Sequence, residues 1–458
     1  MEKSKKSCEV SGTHVDKNRL RLFYLTFAQT IQSFVRACVH DMRGDFVQLK
    51  NISDWLVYIK TLHLKEMDLS LERVRIVAKR LNLFNPTYSI VTVAGTNGKG
   101  SCVAGLESIY LTAGYRVGAF TSPFLFCYNE QVRIQGIAVT DDLFCKAFLQ
   151  IEKSRKNITL TPFEFGTLAA FIIFQNSQLD IVILEVGLGG RLDAVNILDA
   201  DVSLVTTIAL DHTDILGTTR DAIAREKAGI FREARPAVCG DVDPPLSLIE
   251  CARAINTPLF CQNKQFGFDE KNNSWTWWSE KNRFDNLPLP TLALQNMSTV
   301  LMTVELLQEK LPVLRSAIDE ALARVTLAGR IQIISDVFTT ILDVSHNPAS
   351  AEWLARNLKK QKIRGKTRAV FSMLADKDIV ATILTIKDSI DEWSIAPLSV
   401  PRGASLDLLI DSFHQSGVKN VTSYPTIVAA YEEVRRVSTA GDCIVVFGSF
   451  HTISRIAF

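Results

Sequence analysis

No apolar run in this 458-residue chain reaches the roughly 18 residues that a membrane-crossing helix needs, so nothing in it reads as spanning a bilayer. Its nine cysteines include no C-x-x-C pair, which argues against a zinc knuckle or a disulfide framework and fits a reducing cytoplasm. An excess of one charge sign is missing too. The 51 Lys and Arg against 49 Asp and Glu leave a net of +2, with no stripe for nucleic acid and no basic face for a membrane surface. Internal repeats and low-complexity segments are absent. What is present is ordinary for a globular protein, 47% hydrophobic and 22% charged, in a length that suits two or three domains.

Residues 1–41 differ from the rest. MEKSKKSCEVSGTHVDKNR is polar and reads as disordered. The richer stretch from Leu20 to Val39 is interrupted by Gln29, Gln32, Ser33 and Arg36, which suits an amphipathic helix or disorder better than a signal peptide. Met42 is a credible start, which would make 1–41 a tail or an artefact. From Ile52 the pattern is helical (WLVYIKTLH, then LSLERVRIVAKRL) and closes at Asn85-Pro86. Strands then alternate with helices to about residue 240, the signature of a mostly parallel sheet. The expected strands are Ile90–Ala94, Tyr115–Phe120, Ile181–Leu184 and Val202–Ile208, each a nearly unbroken apolar run as for strands covered on both faces. A tryptophan-containing stretch at 262–286 reads as a hairpin or excursion, followed by a helix over Leu292–Leu307. The α/β pattern restarts near Thr326-Leu327-Ala328-Gly329-Arg330, with strands at Thr340–Asp343, Ala369–Ser372 and Cys443–Phe447. The expected organisation is therefore a nucleotide-binding domain over 42–325 and a second α/β domain over 326–458.

After the strand Ile90–Ala94 come Gly95, Thr96, Asn97, Gly98, Lys99, Gly100 and Ser101, and a helical pattern runs from Cys102 to Ala113. Strand, glycine turn and helix present backbone N–H groups and a helix N-terminus to a phosphate. Lys99 adds a mobile positive charge, and Ser101 a hydroxyl for phosphate or metal. The common pattern G-x-x-x-x-G-K-[ST] is not met: Val93 stands where its first glycine should be, and Gly100 separates Lys99 from Ser101. The bland alternative is a glycine turn without a nucleotide.

The other strands also end in polar or glycine-rich residues: Thr121-Ser122-Pro123, Glu185-Val186-Gly187-Leu188-Gly189-Gly190-Arg191, and Asp211-His212-Thr213-Asp214. Ligands of open parallel sheets bind at the carboxyl ends of strands, so one edge collects a lysine, hydroxyls, a carboxylate and an imidazole. Glu185 reads as a Mg²⁺ ligand or as a loop-anchoring carboxylate. His212 reads as a second metal ligand or as a structural histidine, and Ser122 as a ligand or a turn residue. Lys227, in AIAREKAGIF, is by default a solvated lysine, since an ammonium repels a metal. It joins a metal site only if CO₂ carbamylates it. In the second domain Arg330 offers a cation for phosphate, and Asp343 ends a strand ahead of Ser345, His346 and Asn347. Each of these also reads as turn chemistry.

AGTNGKGS, TSP with VRIQG, EVGLGGRLDA, DHTD-x-LG with REKAGIF, L-x-GR-x-Q and D-x-x-HNP, in this order, resemble the folylpolyglutamate synthase family of the Mur ligase superfamily, most nearly its bifunctional bacterial branch, over about residues 52–458. The resemblance implies a P-loop ATPase-like domain with a mostly parallel sheet, a C-terminal Rossmann-like α/β domain, and ATP between them. Thr96, Asn97, Gly98, Lys99, Gly100 and Ser101 would bind its phosphates, and Asn296, Arg330 and Asp343 would contact the nucleotide. Ser122 and Glu185 would hold one Mg²⁺ and His212 a second, with Lys227 carbamylated. A pterin would lie against Asp68, Leu69 and Ser70, Thr161, Pro162, Phe163 and Glu164, and Leu192, Asp193 and Ala194. Ser345 and His346 would meet the incoming L-glutamate. The implied reaction joins L-glutamate to dihydropteroate, or to the γ-carboxyl of a folate, through an acyl phosphate. The alternatives are a folylpolyglutamate synthase without the first activity, a small-molecule kinase and a nucleotide switch. A cytoplasmic monomer without nucleic acid or membrane is expected. Phe124 replaces the family's usual histidine, Gln131 an arginine and Val195 a threonine, all on the substrate side rather than the ATP side.

Overall fold

The structure is a computed structural model that describes residues 49, 51–65 and 67–456. The polar tail expected over 1–41, and Met42, lie outside the described residues. Strands β1 (Ser89–Ala94), β2 (Val117–Phe120), β3 (Val132–Ile134), β4 (Ile137–Ala138), β5 (Ile181–Glu185), β6 (Val202–Val205), β7 (Ala237–Cys239) and β8 (Leu259–Cys261) form one sheet. Its order is β4-β3-β2-β5-β1-β6-β7-β8, parallel except where β3 runs against β2 and β4. All six residues of β1 are buried, because helices cover both faces. One face packs under the helices Ile52–Lys60, Glu72–Arg80, Asp141–Arg155 and Pro162–Gln175, and the other under Lys99–Thr112, Leu294–Leu306 and Arg315–Arg324. The unbroken apolar runs are thus a consequence of two-sided burial, where alternation would place polar groups in a core.

Two strands are shorter than their apolar runs. The N–H of Arg116 donates to Asp180 Oδ2 at 2.7 Å, so β2 starts only at Val117. Past Val205 the hydroxyls of Thr206 and Thr207 turn to Asn97 O, at 2.6 and 3.2 Å, which ends β6 early and ties it to the glycine loop.

The tryptophan stretch is more than a hairpin. Strands β9 (Phe266–Glu270), β10 (Trp275–Ser279) and β11 (Arg283–Leu287) make an antiparallel three-stranded sheet with β10 in the centre. Trp275 and Trp277 are fully buried against the helix Leu294–Leu306, and their indole N–H groups donate to Pro288 O (2.9 Å) and Ser298 O (3.1 Å). Polar neighbours in sequence hide this burial, which extends to Thr276 between the two rings.

A second sheet is built from β12 (Gln332–Ser335), β13 (Thr339–Asp343), β14 (Thr367–Phe371), β15 (Glu392–Ile395), β16 (Val421–Ser423) and β17 (Cys443–Phe447), in the order β12-β13-β17-β14-β15-β16. Only β12 is antiparallel to its neighbour. Helices again cover both faces. The protein is therefore α/β throughout, and the carboxyl ends of β1, β5 and β6 meet those of β13 and β17 across one cavity. Among the described residues no helix is long and apolar enough to cross a membrane, and all seven cysteines are free.

Candidate active site

The cavity, of ≈ 130 Å³, is lined by the glycine loop from Gly95 to Gly100, by Ser122, Glu185 and the Val186–Gly189 loop, by Asp211, His212 and Lys227, and by Arg330, His346 and Phe450. The glycine loop owes its shape to two positions. At Gly95 (φ +146°) a Cβ would fall 1.7 Å from Thr206 Oγ1, so only glycine lets the loop lie against β6. At Gly98 (φ +90°) a Cβ would fall 2.5 Å from Asn296 Oδ1, which leaves the helix Lys99–Thr112 to start directly at the cavity. Gly95→Ala is expected to displace Thr206 from Asn97 O and to destabilise the protein by about 1–3 kcal/mol, the usual range for overpacking. A thermal melt reads this as a lowered Tm, with nucleotide binding weakened in parallel.

Lys99 Nζ donates to Gly95 O (3.1 Å) and Thr96 O (3.3 Å), so its ammonium is folded back over the loop. Burial pushes the Lys99 pKa down, while the charges of Glu185 and Asp211 push it up. Glu185, at the last position of β5, is buried and shifts upward through burial, with Lys99 opposing. Its Oε2 accepts the Ser122 N–H at 3.3 Å, and both its oxygens lie within 4 Å of the point where Gly100 would carry a Cβ. A buried carboxylate and a hydroxyl residue at the phosphate loop fit a hard divalent cation that takes its remaining ligands from phosphate and water. Among the described residues no three His, Cys, Asp or Glu side chains are grouped so as to hold a metal without such help.

Asp211 is the meeting point of the two sheets. Its Oδ1 accepts Lys377 Nζ at 2.6 Å, and His346 Nε2 stands 3.8 Å from Oδ2. Burial would raise this carboxyl, but His346 and Lys377 hold it well below the usual carboxylate range. Burial and the Lys377 charge push the His212 pKa down, with Asp211 opposing, a direction that favours the neutral imidazole a metal requires. His212 itself sits at φ +50°, capping the short helix Thr213–Leu216. Lys227 is buried near the end of the helix Arg220–Ala228, and burial together with the charge of Lys99 brings its pKa down to about 7. Asn97 and Asn347 exchange amide hydrogen bonds at 2.9 and 3.3 Å across the sheets.

Four residues expected at the nucleotide or the incoming glutamate do not line this cavity. Ser101 is buried in the first turn of its helix. Asn296 lies against Gly98. Asp343 accepts the N–H groups of Ile331 and Ser345, both at 2.9 Å, and a short hydrogen bond from the Ser345 hydroxyl. The two residues thereby shape the Arg330–Ile331 turn.

The expected pterin residues form a second cluster beside the glycine-rich loop after β5. Thr161 and Glu164 cap the helix Pro162–Gln175 reciprocally, with Pro162 in its first turn. Arg73 bridges Glu164 Oε1 (3.1 Å) and Asp68 Oδ2 (3.0 Å), and Ser70 Oγ accepts the Glu72 N–H. Phe163 presses on Gly187, where a Cβ would fall 2.7 Å from its ring. Asp193, its carboxyl pushed up to about 6 by burial, accepts the N–H groups of Leu188 (2.9 Å) and Val195 (3.0 Å), beside half-buried Leu192 and buried Ala194. Leu69 is half-buried at the rim of the same cluster. Of the departures from the family pattern, Phe124 is exposed and stacks edge-on to Tyr128, Gln131 donates to Tyr128 O at 3.4 Å, and Val195 is buried.

Lys377, Arg73 and Phe450 were not singled out from sequence. Lys377 follows the end of β14, as Phe450 follows β17, so the strand-end rule that found His212 also reaches them. Arg73 carries no such signal.

A Mur ligase middle-domain model matches residues 93–285, and a Mur ligase glutamate-ligase-domain model matches 329–450. The dihydrofolate synthase/folylpolyglutamate synthase of Escherichia coli (strain K12) is 42% identical over 405 residues, covering 88% of this chain and 94% of its own. An E. coli FolC structure in complex with DHPP and ADP superposes with a TM-score of 0.86 at 41% identity, over 89% of this chain and 97% of that one. A Yersinia pestis folylpolyglutamate synthase/dihydrofolate synthase complexed with AMPPNP and Mn superposes with a TM-score of 0.84 at 42% identity, over 89% and 98%. This chain belongs to the dihydrofolate synthase/folylpolyglutamate synthase family of Mur ligases.

Proposed function

We propose that this chain is an ATP-dependent amide ligase that joins L-glutamate to dihydropteroate and, in a second activity, to the γ-carboxyl of folates. The observation that carries the reading is the convergence of Lys99 and Glu185 from one sheet with Arg330 and His346 from the other on a single cavity. The names and ligands of the relatives, DHPP, ADP and AMPPNP with Mn, support the same substrates here.

In this reading the domains are 42–325 and 326–458, and the glycine loop holds the ATP phosphates between them. Lys99 and Arg330 face the γ-phosphoryl group as it passes to the acceptor carboxylate, giving an acyl phosphate and ADP. The α-amine of glutamate, beside Ser345 and His346, attacks the acyl carbon. The amide forms, the amine loses a proton and inorganic phosphate leaves. Glu185 with Ser122, and His212 with carbamylated Lys227, are the residues to hold Mg²⁺, which supplies further neutralisation of phosphate charge when bound. Asp193 and the Arg73-bridged pair Asp68 and Glu164 line the pterin side. Positioning across two domains is the main source of rate, so docking through Asp211–Lys377 and Asn97–Asn347 belongs to the working enzyme. Near-neutral charge supports a protein that binds no nucleic acid, and the free described cysteines support a cytoplasmic one; a monomer is part of the same proposal.

The test supplies ATP, Mg²⁺, dihydropteroate and L-glutamate and measures ADP and dihydrofolate. Equal amounts of both, each requiring glutamate, are expected, and a parallel assay with a folate acceptor should lengthen its glutamate tail. ADP formed without any amine would favour a kinase instead, and nucleotide binding without turnover a switch.

A further inference from the structure

Arg330 is brought to the phosphate cavity by an unusual turn. Gly329 sits at φ +69° and Ile331 at φ +42°, a region a β-branched residue rarely enters. The strain is held in place by Asp343, which accepts the Ile331 N–H. The guanidinium gets little help from hydrogen bonding: Nη1 donates to Gly329 O at 3.3 Å. Against it instead lies the ring of Phe450, with Arg330 Cζ 5.3 Å from the ring centroid. Phe450 opens the helix Phe450–Ser454 directly after β17, and that start is fixed twice. Ser449 caps the helix by accepting the Thr452 N–H, and Gly448 (φ +114°) passes so close to Ser372 that a Cβ would fall 2.2 Å from its carbonyl oxygen. The ring is therefore mounted on a rigid strand end and the backbone of Arg330 on a turn tied by Leu327, Gln332, Asp343 and Val344, while the guanidinium at the end of the side chain has the weak bond to Gly329 O and the ring.

We propose that Phe450 is a positioning residue for the ligase reaction: its π face holds the Arg330 guanidinium in the cavity, aimed at the phosphates, while leaving its N–H donors free for the anion. The inference rests on the reading of this cavity as the ATP site. The charges of Asp343 and Glu185 act on Arg330 from nearby, but a carboxylate hydrogen-bonded to the guanidinium would neutralise it and occupy the donors that phosphate needs. An aromatic face attracts the cation without taking a hydrogen bond, and does so most strongly where water is excluded.

The test is a graded removal of the ring quadrupole at constant shape. Phenylalanine, then mono-, di- and trifluorophenylalanine are placed at 450 in the full chain, and the affinity for AMPPNP with Mg²⁺ is measured. A stepwise loss, roughly fivefold in all, is expected. Phe450→Leu should lose at least as much, and Phe450→Tyr and Phe450→Trp should stay near wild type. In an Arg330→Met background the fluorination series should become flat, because the cation it acts on is gone. A flat series in the wild-type background, or one that persists in Arg330→Met, overturns the proposal, since a merely hydrophobic wall is indifferent to fluorination. Because the readout is binding, the two readings fail separately. Absent glutamate-dependent ADP release with a graded series intact would sink the ligase reading alone. Wild-type protein that does not bind AMPPNP would sink both.

Discussion

Lys99→Ala is expected to lower kcat/KM at least roughly a thousandfold while leaving the fold intact, because the ammonium acts on phosphate charge rather than on packing. Among the described residues its side-chain hydrogen bonds go to the carbonyl oxygens of Gly95 and Thr96, which water can take over as donor when the side chain is cut. Two further effects follow from the geometry. Glu185 loses the cation that counters its burial, so its carboxyl shifts further upward and holds a divalent cation less well. Arg330 remains, which leaves weak nucleotide binding but no full neutralisation of the γ-phosphoryl group. The measurements are glutamate-dependent ADP release and a thermal melt on the same sample. Near-normal turnover would remove the phosphate-loop assignment, whereas lost turnover with a collapsed melt would mean that the loop itself had unfolded.

Lys227→Ala is the second large effect, with an expected loss of about a hundredfold or more, partly reversed by added formate or acetate. Burial and the neighbouring charge of Lys99 lower this amine to about 7, so at physiological pH much of it is neutral. Only the neutral amine reacts with CO₂, forming an N–C bond and releasing a proton, and the product is an anion whose oxygens suit a hard cation. The direction with pH follows. Below about 7 the ammonium dominates and carbamylation is opposed, and above it the neutral amine and the carbamate both gain. Wild-type activity should therefore fall in CO₂-stripped buffer, more steeply at pH 6.5 than at pH 8, and recover with bicarbonate. In the alanine variant a small carboxylate can occupy the vacated space with the same charge and oxygens. No rescue, together with indifference to bicarbonate, would leave Lys227 as a buried structural lysine.

How much of the site was legible depended on whether a residue's role is local. Gly95, Gly98 and Lys99 were legible because a strand, a tight turn and a helix start are contiguous in sequence, and each imposes a residue type. Glu185, Ser122 and His212 were legible one step further out, since polar residues ending buried strands gather at one rim. Lys377 and Phe450 obey the same rule in the second sheet but stand among other polar and aromatic residues, so position alone did not mark them. Arg73 was illegible: its partners Asp68 and Glu164 are brought together only by packing of the helices Glu72–Arg80 and Pro162–Gln175. The same holds for Trp275 and Trp277, whose burial depends on a helix that follows them.

By itself, then, the amino-acid sequence determined the α/β class, the glycine loop between strand and helix, and the family, because these rest on apolar runs, glycine positions and motif order. The tertiary structure decided which strand ends face each other. It placed Asp211 against Lys377 and His346, Asn97 against Asn347, and Arg330 under Phe450. The physical reason is separation along the chain: these pairs are more than a hundred residues apart, and no local propensity encodes contacts that exist only once the second sheet has assembled, for Arg330 and Phe450, or once the two sheets dock, for the others.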